Sequence, residues 1–170
     1  MRPALIACVV VAVGVVAQRA DLDACGDKSL SAGGIKILRA TAAKYPASIL
    51  IYASPNSRVA AATRELKLQS TLQMVGHRYR EVTSRTDAEA ALASGQFNIV
   101  MADFAESADL QQLVKSSSQR AVVVPVIYKP TKAEDQAAKK TPFLIKAPSR
   151  AAQYLTTITD AVKSGSNSPH

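Results

Sequence analysis

The sequence has no tryptophan, 5% aromatic residues, two histidines and two cysteines in 170 residues. Apolar residues still make up 48% of the chain, so the core must come from Ala, Val, Ile and Leu. That mix suits helices packed on a sheet better than an aromatic-rich β-sandwich. His77 stands alone beyond a helix cap and His170 is terminal, so no cluster with metal-ligand spacing can be argued. There is no nucleophile elbow, no phosphate loop and no close Ser-His pair. Gly33-Gly34 is too isolated to form a nucleotide loop.

Acidic residues are also scarce, 13 against 21 Lys and Arg, for a net charge of +8. Such a surface favours anionic partners in general. No aromatic stacking pattern accompanies the basic residues, so a nucleic-acid partner is not expected.

A long apolar run is missing too. ALIACVVVAVGVVA, residues 4 to 17, falls short of the about 20 residues that a spanning helix needs. Met1-Arg2 supplies a basic start, and Val15 with Ala17 makes a small-residue cleavage site before Gln18. This is the pattern of a secretory signal peptide, cleaved after Ala17, which predicts an exported protein, periplasmic or secreted. An uncleaved membrane anchor is the alternative. Neither Leu5-Ile6-Ala7-Cys8 nor Leu22-Asp23-Ala24-Cys25 makes a convincing lipoprotein site. The first has almost no apolar run before it, and the second carries Asp23. Cleavage would leave Cys25 as the one thiol, so no intramolecular disulfide is expected.

Residues 18 to 46 mix Gly, Ser, Ala and charges and read as a tether, with room for one short helix near ILRATAAK. A regular alternation then fills residues 47 to 163, ahead of a disordered tail over 164 to 170. SILIYA, HRYREV, FNIVMA, AVVVPVIY and FLIK read as strands. Helices fall over 57 to 75, 86 to 95, 108 to 117 and 131 to 141, and from Ser149 on. Thr86 with Glu89 and Thr131 with Glu134 have the spacing of capping boxes. Gly76 is placed as a helix C-cap. Pro125 inside the fourth strand is awkward, because it removes a ladder donor.

Repeated βα units mean a parallel sheet with helices on both faces and right-handed crossovers. The expected fold class is therefore α/β, a doubly wound five-stranded sheet in the flavodoxin-like order 2-1-3-4-5. Asp103, which ends the run FNIVMADF, then stands at the carboxyl end of a strand, where such folds keep their chemistry.

The order and spacing of four stretches resemble the receiver domain of bacterial response regulators. ILIYASPNSR is similar to that family's first strand and following loop, and DAEAALASGQFNIVMADF to its second helix and third strand. VVPVIYKPT is similar to the fourth strand, and FLIKAPSRAAQYLTTI to the fifth strand and last helix. The resemblance implies that Asp103 falls on the phosphoacceptor and Lys146 on the phosphoryl-contacting lysine. It places the family's Mg²⁺-binding acid pair on Ala53 and Ser54. The switch hydroxyl falls on Pro130, with Thr131 one place late. The family's Lys-Pro step becomes Lys146-Ala147-Pro148.

Mg²⁺ usually takes one or more carboxylates in near-octahedral oxygen coordination. Phosphoryl transfer to a carboxylate depends on positioning and charge neutralisation. Asp103 beside Ala53 and Ser54 supplies neither well, so the expectation is a degenerate receiver with no metal or cofactor and no enzymatic activity. Its role would be that of a binding or interaction module. Asp103 and Lys146 could then form a partly buried salt bridge or hold a small anion near the helix start at Ser149. Lys129, Lys132, Lys139 and Lys140 form a candidate face for an anionic protein partner or for self-association. An anchored signalling receiver phosphorylated on Asp103 is a further reading, as is an envelope ligand-binding protein using Asp103 and Lys146. A membrane partner follows only if the N-terminal segment is retained.

Overall fold

The computed structural model describes residues 32 to 117 and 120 to 166. The expected signal peptide, Cys8, Cys25 and His170 lie outside them. Five strands form one parallel sheet: β1 (Ser48–Tyr52), β2 (Arg78–Val82), β3 (Ile99–Asp103), β4 (Val122–Tyr128) and β5 (Ile145–Ala147). Their order is β2-β1-β3-β4-β5. The expected fold class and strand order are both observed.

Alternation along the strands sends side chains to two covered faces. Ile49, Ile51, Ile99, Met101, Val124, Val126 and Ile145 meet residues of α2 (Val59–Glu65), α3 (Leu68–Val75) and α7 (Ala151–Ser166). Leu50, Val82, Val100, Ala102 and Val123 meet α4 (Arg85–Ala93) and α5 (Ser107–Ser116). Every residue of β3 is buried, as a central strand covered on both faces requires.

The structure departs from the sequence reading at several points. The helix expected over 57 to 75 is broken: Lys67 has φ 49° in the left-handed region and separates α2 from α3. Helix α4 is capped two residues earlier than expected. The Ser84 hydroxyl accepts from the Asp87 amide, while Glu89 pairs with Arg85 at 3.0 Å. Ser84 has the extended backbone that an N-cap needs, so Thr86 lies inside the helix. The capping box of α6 (Lys132–Ala138) is formed as expected by Thr131 and Glu134.

Pro125 is buried in β4 opposite Ala102. Pairing between β4 and β5 begins only at Val126. Pro125 therefore has a strand on one side alone, where a sheet tolerates proline.

Within the expected tether, the short helix near ILRATAAK is present, but residues 32 to 44 are all helical and pack on the domain. They form helix α1 (Ala32–Lys44), with Ala42 3% exposed in the core and Leu38 packed against it. Arg39 Nε donates to the Met74 carbonyl at 2.7 Å, satisfying a C-terminal acceptor of α3. At the same end of the sheet His77 is 4% exposed, and its Nδ1 accepts from the Ala47 amide at 3.2 Å. His77 therefore joins β2 to the start of β1. Burial holds its pKa below the ordinary value, keeping the neutral ring that this bond requires.

Candidate functional site

The carboxyl ends of β1, β3 and β4 bring together the loop after Tyr52, the acid that ends β3 and the start of α6. Ala53 and Ser54 follow β1 and are buried, at 4% and 8% exposure. Asp103 is 5% exposed. Its Oδ2 accepts from the Arg58 amide at 2.9 Å, and its Oδ1 accepts from the Ala105 amide at 3.1 Å. The second bond caps a single 3₁₀ turn, Phe104–Glu106. The first fastens the end of β3 to the N-cap of α2. A buried carboxylate needs such donors, and here each oxygen has one.

Arg58 also reaches across the mouth of the site. Its Nη2 donates to Glu134 Oε1 at 2.7 Å, and the Glu134 hydrogen bond is the main reason its pKa is raised, with nearby Asp103 adding to the shift. Glu134 Oε2 accepts from the Thr131 amide at 2.7 Å, while the Thr131 hydroxyl accepts from the Glu134 amide at 3.2 Å. These bonds, led by the Thr131 amide and then the Arg58 guanidinium, hold the Glu134 carboxyl down at about 2. The Thr131 side chain is thus committed to a helix cap, and the loops after β1 and β4 are joined through Arg58.

Glu106 is a second acid at the site. The Ser54 hydroxyl donates to its Oε1 at 2.6 Å, whereas Oε2 is enclosed without a hydrogen-bond partner. Tyr52 lies near enough for Glu106 to add to the upward shift that burial gives its phenol. The sequence reading missed Arg58, Glu106 and Glu134 as site residues. Glu106 follows Asp103 by three positions, which is the detectable sign that the turn could bring it back.

The structure does not join Asp103 to Lys146. Strand β5 runs from Ile145 to Ala147, later than the expected FLIK, and its burial alternates so that Ile145 and Ala147 are covered while Lys146 is exposed. Ile145 and Ala147 share the core cluster of Ile99 and Met101, whose strand parity Asp103 continues. Lys146 therefore points to the other face, as a shift of one residue requires. There its Nζ pairs with Asp135 Oδ1 of α6 at 2.6 Å. The expected salt bridge is replaced by two separate arrangements, and Ile145 stands at the level of Asp103, both being paired to Val126 of β4. The Ala147-Pro148 peptide bond is cis.

The donor set does not fit Mg²⁺. Ala53 has no ligating side chain, each Asp103 oxygen accepts from an amide, and Ser54 donates to Glu106. That leaves Glu106 Oε2 as the one carboxylate oxygen here without a hydrogen bond, too few for octahedral coordination. Among the described residues no group of three His, Cys, Asp or Glu is placed to hold a metal ion.

The sequence matches no family model and no curated protein. Among solved structures, the fold is similar to that of a response regulator receiver protein from Sinorhizobium medicae WSM419. The TM-score is 0.51 at 20% identity, covering 71% of this chain and 97% of that one. The chain has a receiver fold. At that identity the likeness concerns the fold and leaves the chemistry to be argued from the site.

Among the lysines, Lys129, Lys132, Lys139 and Lys140 are all exposed, near the end of β4 and along α6. Lys129 lies 4.8 Å from the centre of the Tyr128 ring. Beside this face a cavity of about 490 Å³ is lined by Lys139, Phe143, Leu144, Lys146, Thr157 and Asp160, among others.

Proposed function

We propose that this chain is an exported interaction module built on a receiver fold, without phosphoacceptor chemistry or other enzymatic activity. The observation that carries the reading is the environment of Asp103. Its two oxygens are held by the Arg58 and Ala105 amides, and the Arg58 side chain is paired with Glu134. Ala53 and Ser54 stand where the receiver resemblance places acids, and Lys146 faces away. Phosphoryl transfer needs charge neutralisation at the transferring group and room for in-line attack. The site offers little of either.

Export is supported by the sequence alone, through the basic start, the apolar run to Ala17 and the small residues at Val15 and Ala17. The interaction surface is the one around α6, β5 and α7, with Lys129, Lys132, Lys139 and Lys140 beside the groove at Phe143 and Leu144. Its partner is an acidic protein or a second copy of the chain.

Incubation of the purified protein with a small phosphodonor and Mg²⁺, read by intact mass, is expected to add no phosphoryl group. Addition that Asp103→Asn abolishes would overturn the proposal. For the surface, the double substitution Lys132→Glu and Lys139→Glu is expected to abolish a co-purifying partner or self-association. Full retention of either would remove that face from the account.

A further inference from the structure

Helix α1 precedes the five βα units, and its inward side is fully occupied by Leu38, Ala42 and the Arg39 contact to α3. Its outward side is different. Lys36, Ala40 and Lys44 recur at i, i+4 spacing on one stripe, all exposed. Ile37 lies beside that stripe and is 70% exposed, and no other large hydrophobic among the described residues is exposed. Neither α1 nor the neighbouring α3 contains Asp or Glu. At the end of α1, Lys44 and Lys163 bracket the Tyr45 ring at 5.5 and 5.1 Å from its centre.

We propose that this face of α1 is a peripheral contact for an anionic phospholipid surface. Lysines around an exposed isoleucine suit a headgroup layer, where the ammonium groups meet lipid phosphates while the apolar side chain enters the acyl boundary. They suit the centre of a protein interface poorly, since charged residues are depleted there. Small Ala40 and Ala43 between the lysines let the helix lie close to a flat surface. The absence of acids from α1 and α3 limits the repulsion that an anionic surface would meet on this side. Asp160 of α7 is paired there with Lys163 at 3.5 Å, and Glu81 of β2 accepts from Gln69. One isoleucine and a few lysines make a weak, reversible contact, which orients the domain with its α1 side toward the bilayer.

The chain has no tryptophan, so a single introduced one reports only on its own position. Ile37→Trp in the full chain is mixed with vesicles of phosphatidylglycerol or of phosphatidylcholine. Gln112→Trp, exposed on α5 across the sheet, serves as the comparison. The expected result is a blue-shifted emission, quenched by brominated lipid, for Ile37→Trp with the anionic vesicles alone. Adding Lys36→Gln and Lys44→Gln is expected to weaken partitioning by about tenfold or more, from the contribution of each lysine near an anionic surface. The proposal is overturned by no shift with phosphatidylglycerol, by an equal shift with phosphatidylcholine, or by an equal shift at Gln112→Trp. Emission already blue before any vesicle is added would also overturn it, because the face would then be covered by the chain itself or by a second copy.

Discussion

The backbone amide of Arg58 donates to Asp103 at 2.9 Å while the side chain of the same residue pairs with Glu134 at 2.7 Å. One residue thus ties the acid that ends β3 to the start of α2 and, through its side chain, to the α6 cap. The arrangement makes Asp103 a structural fastener between β3, the 3₁₀ turn and α2. Asp103→Ala would leave two amides without their charged acceptor. It is expected to cost about 3 kcal/mol of stability, from hydrogen bonds to a buried charge. Urea unfolding measures this, and a cost below about 1 kcal/mol would show that the carboxylate is not the fastener described.

Lys146 serves as the contrast. Its pair with Asp135 joins side chains that are 49% and 40% exposed, and exposed pairs contribute about 0 to 1 kcal/mol. Lys146→Ala is expected to lower stability by about 0.5 kcal/mol or less and to add to Asp103→Ala without coupling. A clear non-additive term in the double-mutant cycle would restore the direct partnership that the sequence suggested.

Acid should loosen the loop junction through Glu134. Its carboxyl is held at about 2, below the ordinary 4.5, so the folded state favours the ionised form. The stabilisation is complete above the ordinary value and is lost as pH falls through the folded one. The stability difference between the wild type and Glu134→Gln is therefore expected to shrink steadily from pH 4.5 toward pH 2. Urea midpoints at a series of pH values check this, and a constant difference would contradict it.

Tyr154 is wholly buried, and its hydroxyl has no hydrogen-bond partner. Burial, with some contribution from Glu65, pushes the phenol up to about 12. Removing an unsatisfied buried hydroxyl while keeping the ring relieves a desolvation penalty. Tyr154→Phe is expected to leave the thermal midpoint unchanged or to raise stability by about 1 kcal/mol. A loss of about 1 kcal/mol or more would mean that the hydroxyl has a partner, such as an internal water.

The five βα units were legible because apolar strand runs and amphipathic helices have distinct periods. The Thr131–Glu134 cap was legible because two residue types at fixed spacing specify it. The level of β5 was not. Phe143, Leu144, Ile145 and Ala147 are all apolar, so hydrophobicity alone allows the strand to start in more than one place. The left-handed backbone of Phe143, with φ 54°, puts that residue in the turn and delays the strand. Lys146 is then out of phase with the buried Ile145 and Ala147 and faces away from Asp103, which dissolves the expected pair. The replacement partners were hidden for a related reason: amides at Arg58 and Ala105 have no sequence signature, and Glu134 already had a complete local role as a cap residue. Helix α1 was legible only near ILRATAAK; Gly33-Gly34 and its alanines give a weak apolar stripe, so its full length and its packing on α3 and α7 were not.

The central claim is that the pocket around Asp103 is a closed structural junction and not a metal-dependent phosphoacceptor. A Mg²⁺ titration followed by amide NMR of Arg58 and Ala105, the two donors to Asp103, tests it most directly. The account expects both resonances to stay in place at millimolar Mg²⁺ apart from the small uniform drift that ionic strength causes. A saturable shift confined to Arg58, Ala105 and Ser54 would place a cation beside Asp103 and contradict the account.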